Sequence, residues 1–141
     1  MSKNKTLEEW IELYEKKTNL KYEEPDGRLK RFFFPDRGFA EIGATPNMIF
    51  IKQVSGDGLF WKQVAEVLAM ASGITHLGTW IVRDPESYRE LFNVEIEKVE
   101  EAEPEMKRYY GKFKDTGKNV LATAQGRMAN GNIRYIVTWE I

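Results

Sequence analysis

The first apolar residues of the chain recur at intervals of three and four, which is typical of one face of a helix. These residues are Leu7, Trp10, Ile11 and Tyr14. Thr6 and Glu9 stand just before and within this run at the spacing of a capping box, in which each side chain bonds the backbone N–H of the other residue. The pattern predicts a helix that begins after Thr6, ends near Asn19 and packs its apolar face on a sheet.

Three strand-like runs follow, and short turns join them. The runs are Leu29–Phe34, Gly38–Ala44 and Met48–Val54. The links read PDRG and TPN, and they are made of residues that favour tight turns. Links this short join only antiparallel neighbours, so the three runs predict a meander. The third run begins with MIFI, a continuous apolar stretch that is expected of a strand covered on both faces.

After the meander, the pattern predicts a helix over Leu59–Ser72, a stop at Gly73 and a strand over Ile74–Val82. Strand, helix and strand in this order form a βαβ unit, so the two strands should be parallel. The helix is expected to turn a broad apolar face to the core, made of Phe60, Val64, Val67, Leu68 and Ala71. Lys62, Gln63 and Glu66 are expected on its solvent side.

The last third of the chain reads as β-structure. Asp84-Pro85 first predicts the start of a short helix over ESYRELF. Residues 94–114 then predict two further strands, and Asn130-Gly131 predicts a hairpin. Folding the chain at that turn pairs residue 124 with 137 and residue 122 with 139, which gathers the apolar or small residues on one face.

Composition narrows the class of protein. The 141 residues are 42% hydrophobic, which suits a single folded domain over residues 1–141. Without cysteine there is no disulfide and no thiolate, and His76 alone cannot form a multi-histidine site, so we expect no metal. The net charge of −1 predicts no nucleic-acid partner and no membrane partner. The first residues lack an apolar leader, which makes a cytoplasmic protein the default expectation.

Two glycines, Gly56 and Gly58, separate the third strand from the following helix. One explanation is a tight turn. The other is an anion site, because N–H groups at the start of a helix point at one spot and glycine lets the backbone approach an anion closely. The residues alone leave both explanations open.

The glycine turn resembles a known motif. Gln53-Val54-Ser55-Gly56-Asp57-Gly58 matches Q/R-x-x-G-x-G/A, the pyrophosphate-binding motif of the GNAT acetyltransferase superfamily. The predicted order of elements over roughly residues 6–100 is similar to that fold as well. The resemblance therefore implies an α/β (α+β) domain with a GNAT-like mixed, mainly antiparallel sheet, one central parallel βαβ pair and flanking helices.

The resemblance also implies a co-substrate, acetyl-coenzyme A. Backbone N–H groups would hold its diphosphate and pantetheine arm at Ile51, Gln53, Val54, Ser55, Gly56, Asp57, Gly58 and Leu59. An N–H at the strand end would stabilise the oxyanion of acyl transfer, and Tyr88 would protonate the thiol leaving group. Glu41 is the best carboxylate for a general base. The implied reaction is direct transfer of an acetyl group to an amine of a small molecule or a protein, since no cysteine can form an acyl-enzyme.

Two other functions stay open. Asp57 repels phosphate unless it turns away to cap the helix, so one alternative is a GNAT-like binding or structural protein without catalysis. The other is a single-stranded nucleic-acid module, because RLKRFFF and KRYYGKFK interleave basic and aromatic residues. The sequence leaves open whether the chain forms a homodimer.

Overall fold

The computed structural model describes residues 4–82, 85–90, 92–104, 106–129 and 131–141. In these ranges the helices are α1 (Leu7–Thr18) and α2 (Gly58–Ser72), with one 3₁₀ turn at Pro85–Tyr88. The strands are β1 (Leu29–Phe34), β2 (Gly38–Ala44), β3 (Met48–Gly56), β4 (His76–Ile81), β5 (Val94–Glu103), β6 (Met106–Phe113), β7 (Asn119–Arg127) and β8 (Ile133–Glu140). Neither α1 nor α2, the α-helices of the described ranges, is long and apolar enough to cross a membrane.

The described strands form one eight-stranded sheet in the order β1-β2-β3-β4-β8-β7-β6-β5. Among them β3 and β4 are the parallel neighbours, and α2 connects them. The other neighbouring strands are antiparallel. The chain is therefore a mixed α+β fold with a mostly antiparallel sheet, and the predicted parallel pair is confirmed.

Helix α1 begins as the sequence predicts. The Thr6 hydroxyl accepts a hydrogen bond from the Glu9 N–H at 3.2 Å, and the Glu9 carboxylate accepts one from the Thr6 N–H at 2.9 Å. The helix ends at Asn19, which adopts the left-handed conformation that asparagine tolerates well. On its inner side Tyr14 packs edge-on against Phe39 of β2. Local signals were sufficient for this element.

The predicted core face of α2 is only partly right: Phe60, Val64 and Leu68 pack partly buried against the core, but Val67 and Ala71 are exposed. The residues that α2 buries are Gly58, Trp61, Lys62, Ala65, Glu66 and Ala69. Val67, expected in the core, is 57% exposed, and Met70 is 62% exposed. The helix is apolar nearly all round, so periodicity does not settle its orientation. Trp61 fixes the orientation of the helix, because its ring is fully buried and its indole N–H donates to the Arg37 carbonyl at 2.9 Å.

Lys62 and Glu66, predicted to face solvent, lie inside a buried polar network. The Lys62 ammonium donates to both carboxylate oxygens of Asp115, at 2.9 and 2.8 Å, and lies 3.7 Å from Glu66. Glu66 in turn accepts a hydrogen bond from the indole N–H of Trp139. Partial burial alone would raise the pKa of Asp115, but the hydrogen bond from Lys62 holds it below its ordinary value. The network fastens α2 to β8 and to the turn after β6, and its charges are satisfied within it.

The C-terminal hairpin forms, but in a different register. Ala124 pairs with Tyr135 and Ala122 with Val137, two residues from the predicted partners. At Gly126, which pairs with Arg134, the register is already one residue from the predicted one, and a bulge between Ala124 and Gly126 adds the second residue. Since the shift is an even number of residues, the apolar side chains stay on the predicted face. Asn130 lies outside the described residues.

The helix predicted after Asp84 is the other difference. Asp84 and Leu91 lie outside the described residues, and between them the described helical residues are the 3₁₀ turn Pro85–Tyr88. The two strands predicted within residues 94–114 are present as β5 and β6, joined antiparallel.

Candidate functional site

The parallel pair β3–β4 separates part-way along its length. The two strands pair from Met48 with His76 to Ile51 with Thr79. Beyond that point β3 stays with β2 as far as Gly56, whereas β4 stays with β8 as far as Ile81. The sheet therefore splits after Ile51 and Thr79.

Two local features explain the split. Ile42 pairs with Ile51 but its neighbour Glu41 pairs with Gln53, so Lys52 is an extra residue in β3. A bulge of this kind bends the strand that carries it and increases its twist. At the same point the Thr79 hydroxyl donates to the Ile51 carbonyl at 2.9 Å, which satisfies a backbone acceptor at the end of the parallel ladder.

A groove of about 550 Å³ lies at the split, a size typical of sites for small organic molecules. Aromatic and aliphatic side chains form much of its wall: Tyr14, Phe50, Val54, Trp80, Ile81, Tyr88 and Phe92. Three positively charged residues line it, Lys21, Lys52 and Arg134, and one negatively charged residue, Glu23. The Arg134 guanidinium lies over the Trp80 ring. The groove thus combines apolar walls with an excess of positive charge.

The glycine turn at the end of β3 is closely packed. Gly56 has φ +100°, and a Cβ on it would overlap the Arg37 carbonyl. Its partner across the ladder is Gly38, with φ +96°, where a Cβ would overlap the Ser55 carbonyl. The two glycines are therefore needed so that β2 and β3 can approach each other. This packing accounts for Gly56 without any bound anion.

Asp57 is the N-cap residue of α2. The sequence allowed this role for it, as a carboxylate that turns away from the loop to cap the helix. One carboxylate oxygen accepts the Phe60 N–H at 3.1 Å. The other lies 2.6 Å from the Arg37 guanidinium, which also lies over the Phe60 ring. A diphosphate would need the same helix N–H groups and would meet the Asp57 carboxylate there. The turn in this arrangement does not fit the diphosphate of coenzyme A.

The structure distributes the predicted coenzyme A residues over several places. Gln53 and Val54 line the groove, and Ile51 stands where the strands separate. The Ser55 hydroxyl instead donates to the Trp10 carbonyl of α1, and the Gln53 amide binds the backbone of Glu23. Gly58 and Leu59 are the first residues of α2.

Tyr88, the predicted acid, lies at the split. It belongs to the 3₁₀ turn, lines the groove and stacks on Phe92 with ring centroids 6.2 Å apart. Tyr88 thus lines the groove together with Thr79 and Ile81.

Glu41, the predicted base, lies elsewhere. It is fully buried between β2 and the segment that follows α1, and it is not part of the groove lining. One carboxylate oxygen accepts a short hydrogen bond from the Tyr22 hydroxyl, and the other is buried with no hydrogen-bond partner in the described structure. Burial raises the pKa of Glu41 to about 7, although the hydrogen bond from Tyr22 opposes the shift. Burial likewise raises the pKa of Tyr22 to about 12.

The groove contains residues that sequence reasoning missed, notably Lys52, Trp80 and Arg134. Lys52 had one available signal, since it is a charged residue that interrupts the apolar run of β3. Trp80 and Arg134 had none, because they come together only when β4 pairs with β8.

The remaining candidates carry other roles. Tyr109 and Phe113, from the basic and aromatic run of β6, are buried in the core. His76 forms an exposed pair with Glu140 at 3.0 Å, at the end of β4 away from the split. In the part of the chain that the structure describes, no three histidine or carboxylate side chains come together as metal ligands.

Comparison with protein-family models, with curated proteins and with solved structures finds no match for this chain. What the chain does has to be inferred from the groove and from the charged groups around it.

The raised pKa of Glu41 predicts how stability depends on pH. The folded state holds the Glu41 proton up to about pH 7, whereas the unfolded chain releases it near the ordinary value of 4.5. Protonated Glu41 therefore stabilises the fold at low pH, and this contribution is lost as the pH rises through about 7. We expect wild type to lose up to about 3 kcal/mol of unfolding free energy from this group between about pH 5 and pH 8.

Urea unfolding across this pH range tests the assignment. Glu41→Gln should flatten the dependence and make the protein more stable than wild type at pH 8. Glu12→Gln, a change at an exposed carboxylate of α1, should follow the wild-type curve. Parallel curves for wild type and Glu41→Gln would contradict the assignment.

Proposed function

We propose that the chain binds a small organic ligand in the groove between β3 and β4. The observation that carries this proposal is the split itself, because the sheet opens there while backbone pairing holds on both sides. Crevices beyond the carboxyl ends of parallel strands are where α/β sheets commonly bind ligands. The groove lies at such an end.

The lining of the groove favours a ligand with an apolar body and an anionic end. Phe50, Val54 and Trp80 offer apolar and aromatic surface. Lys52 and Arg134 supply charged donors, which form the stronger hydrogen bonds to carboxylates, sulfates or phosphates. Lys52 has Glu23 as a distant partner at 3.5 Å, a contact between exposed side chains that a bound anion can replace.

The arrangement supports the GNAT-like interpretation of the fold. A capped N-terminal helix precedes a three-stranded meander, and a parallel pair around a helix separates where the resemblance places the pantetheine arm. The closure of the glycine turn by Asp57 and Arg37 favours the alternative without catalysis. We therefore propose a divergent GNAT-like protein that binds a ligand at the split.

Acetyl transfer from acetyl-coenzyme A to an amine stays a second candidate, and the position of Tyr88 at the split is what favours it. Because the turn does not fit the diphosphate, we assign no catalytic step to this chain.

Octanoate is a suitable probe for the proposed ligand class. We expect calorimetry to detect its binding to wild type and Lys52→Glu to weaken it about tenfold or more, since a hydrogen bond to a charged group contributes about 1.5–3 kcal/mol. Lys30→Glu, which makes the same charge change on β1 outside the groove, should bind like wild type. Absence of octanoate binding, or equal loss in both variants, would overturn the groove as an anion site.

Coenzyme A distinguishes the two candidates. We expect no binding to wild type at millimolar coenzyme A, because the Asp57 carboxylate accepts the Phe60 N–H and brings a negative charge to the place of the diphosphate. Asp57→Asn keeps a side chain that caps helices well and removes the negative charge, so it separates the cap from the charge. If wild type does bind coenzyme A, and Asp57→Asn binds it equally well or more tightly, the result would support acetyl-coenzyme A as co-substrate instead.

A further inference from the structure

A second, smaller space lies beyond the groove. It is a cavity of about 50 Å³ between the inner face of β4, β8, β7 and β6 and the segment around the 3₁₀ turn. Pro85, Phe92, Tyr109, Ala122 and Val137 form part of its wall. These are mostly apolar surfaces, so the cavity suits hydrocarbon better than water.

The groove and the cavity meet at the split. Four residues line both of them: Thr79, Ile81, Tyr88 and Phe92. The Tyr88 and Phe92 rings stack on each other at this boundary. These two rings therefore line both spaces, and a ligand that extends from the groove into the cavity would contact them.

We propose that the cavity receives the end of a linear alkyl chain, so that the ligand of the groove is a straight-chain aliphatic anion. This inference rests on the proposed function, because the same ligand occupies the groove with its charged end toward Lys52 and Arg134. A water-sized sphere occupies about 10–15 Å³ of such space, so the cavity holds about three to five water-sized spheres, which corresponds to a short stretch of alkyl chain. Its small volume excludes a bulky ring.

A series of straight-chain carboxylates from acetate to decanoate tests the inference by calorimetry. Each methylene that leaves water should tighten binding about fourfold, until the cavity is full and the affinity levels off. Binding of octanoate with no dependence on chain length would overturn the cavity and leave the groove. No binding along the whole series would overturn the groove and the cavity together.

A filled cavity gives the second arm of the test. Ala122→Leu places a larger side chain in the cavity wall and should weaken octanoate about tenfold or more while leaving butyrate unchanged. Ala124→Leu is the matched control, since Ala124 lies two residues along β7 on the same face but outside the cavity lining. Val137→Met narrows the same cavity from β8 and should act like Ala122→Leu, which covers the case that the latter fails to fold. If Ala122→Leu and Val137→Met both bind octanoate as tightly as wild type, the inference is overturned.

Discussion

One extra residue in β3, Lys52, bends that strand away from β4 at the last pair of the parallel ladder. The Thr79 hydroxyl donates to the Ile51 carbonyl at this point, so that acceptor stays paired where the strands separate. From here β3 follows β2 to the glycine turn, and β4 follows β8. The groove, the cavity behind it and the position of Tyr88 all depend on this separation.

The charged groups of the fold differ in whether other side chains of the protein neutralise them. Lys62 is fully buried, and Asp115 and Glu66 neutralise it inside the fold. Asp57 and Arg37 neutralise each other at the start of α2, which leaves that helix terminus occupied by the chain itself. The groove cations differ, because they stand at a crevice that a ligand can enter. This contrast is why we place the ligand in the groove and not at the glycine turn.

Elements governed by neighbouring residues could be predicted from the sequence. The capping box and the apolar face of α1 are local, and the parallel pair follows from the order of elements. The burial of Lys62 on α2 could not be predicted, because its partner Asp115 lies 53 residues later in the chain. The hairpin register depends on the pairing next to the turn and on the bulge near Gly126, each of which shifts it by one residue.

The candidate site divides in the same way. Tyr88 and the end of β3, which line the groove, were singled out by resemblance to a motif. The close packing that requires Gly56 could not be foreseen, because it involves Gly38 of the preceding strand. Lys52, Trp80 and Arg134 come from three strands that the fold alone brings together. The motif pointed to the junction of β3 and α2, but it could not show that Asp57 caps the helix there.

The central claim is that the ligand binds where β3 and β4 separate. Titration of ¹⁵N-labelled protein with octanoate, followed by amide chemical shifts, tests it most directly. We expect the largest amide shift changes on residues 52–54, 79–82 and 88, on both sides of the split. Largest changes at residues 56–60, the glycine turn and the first turn of α2, would contradict it and make the turn the anion site after all.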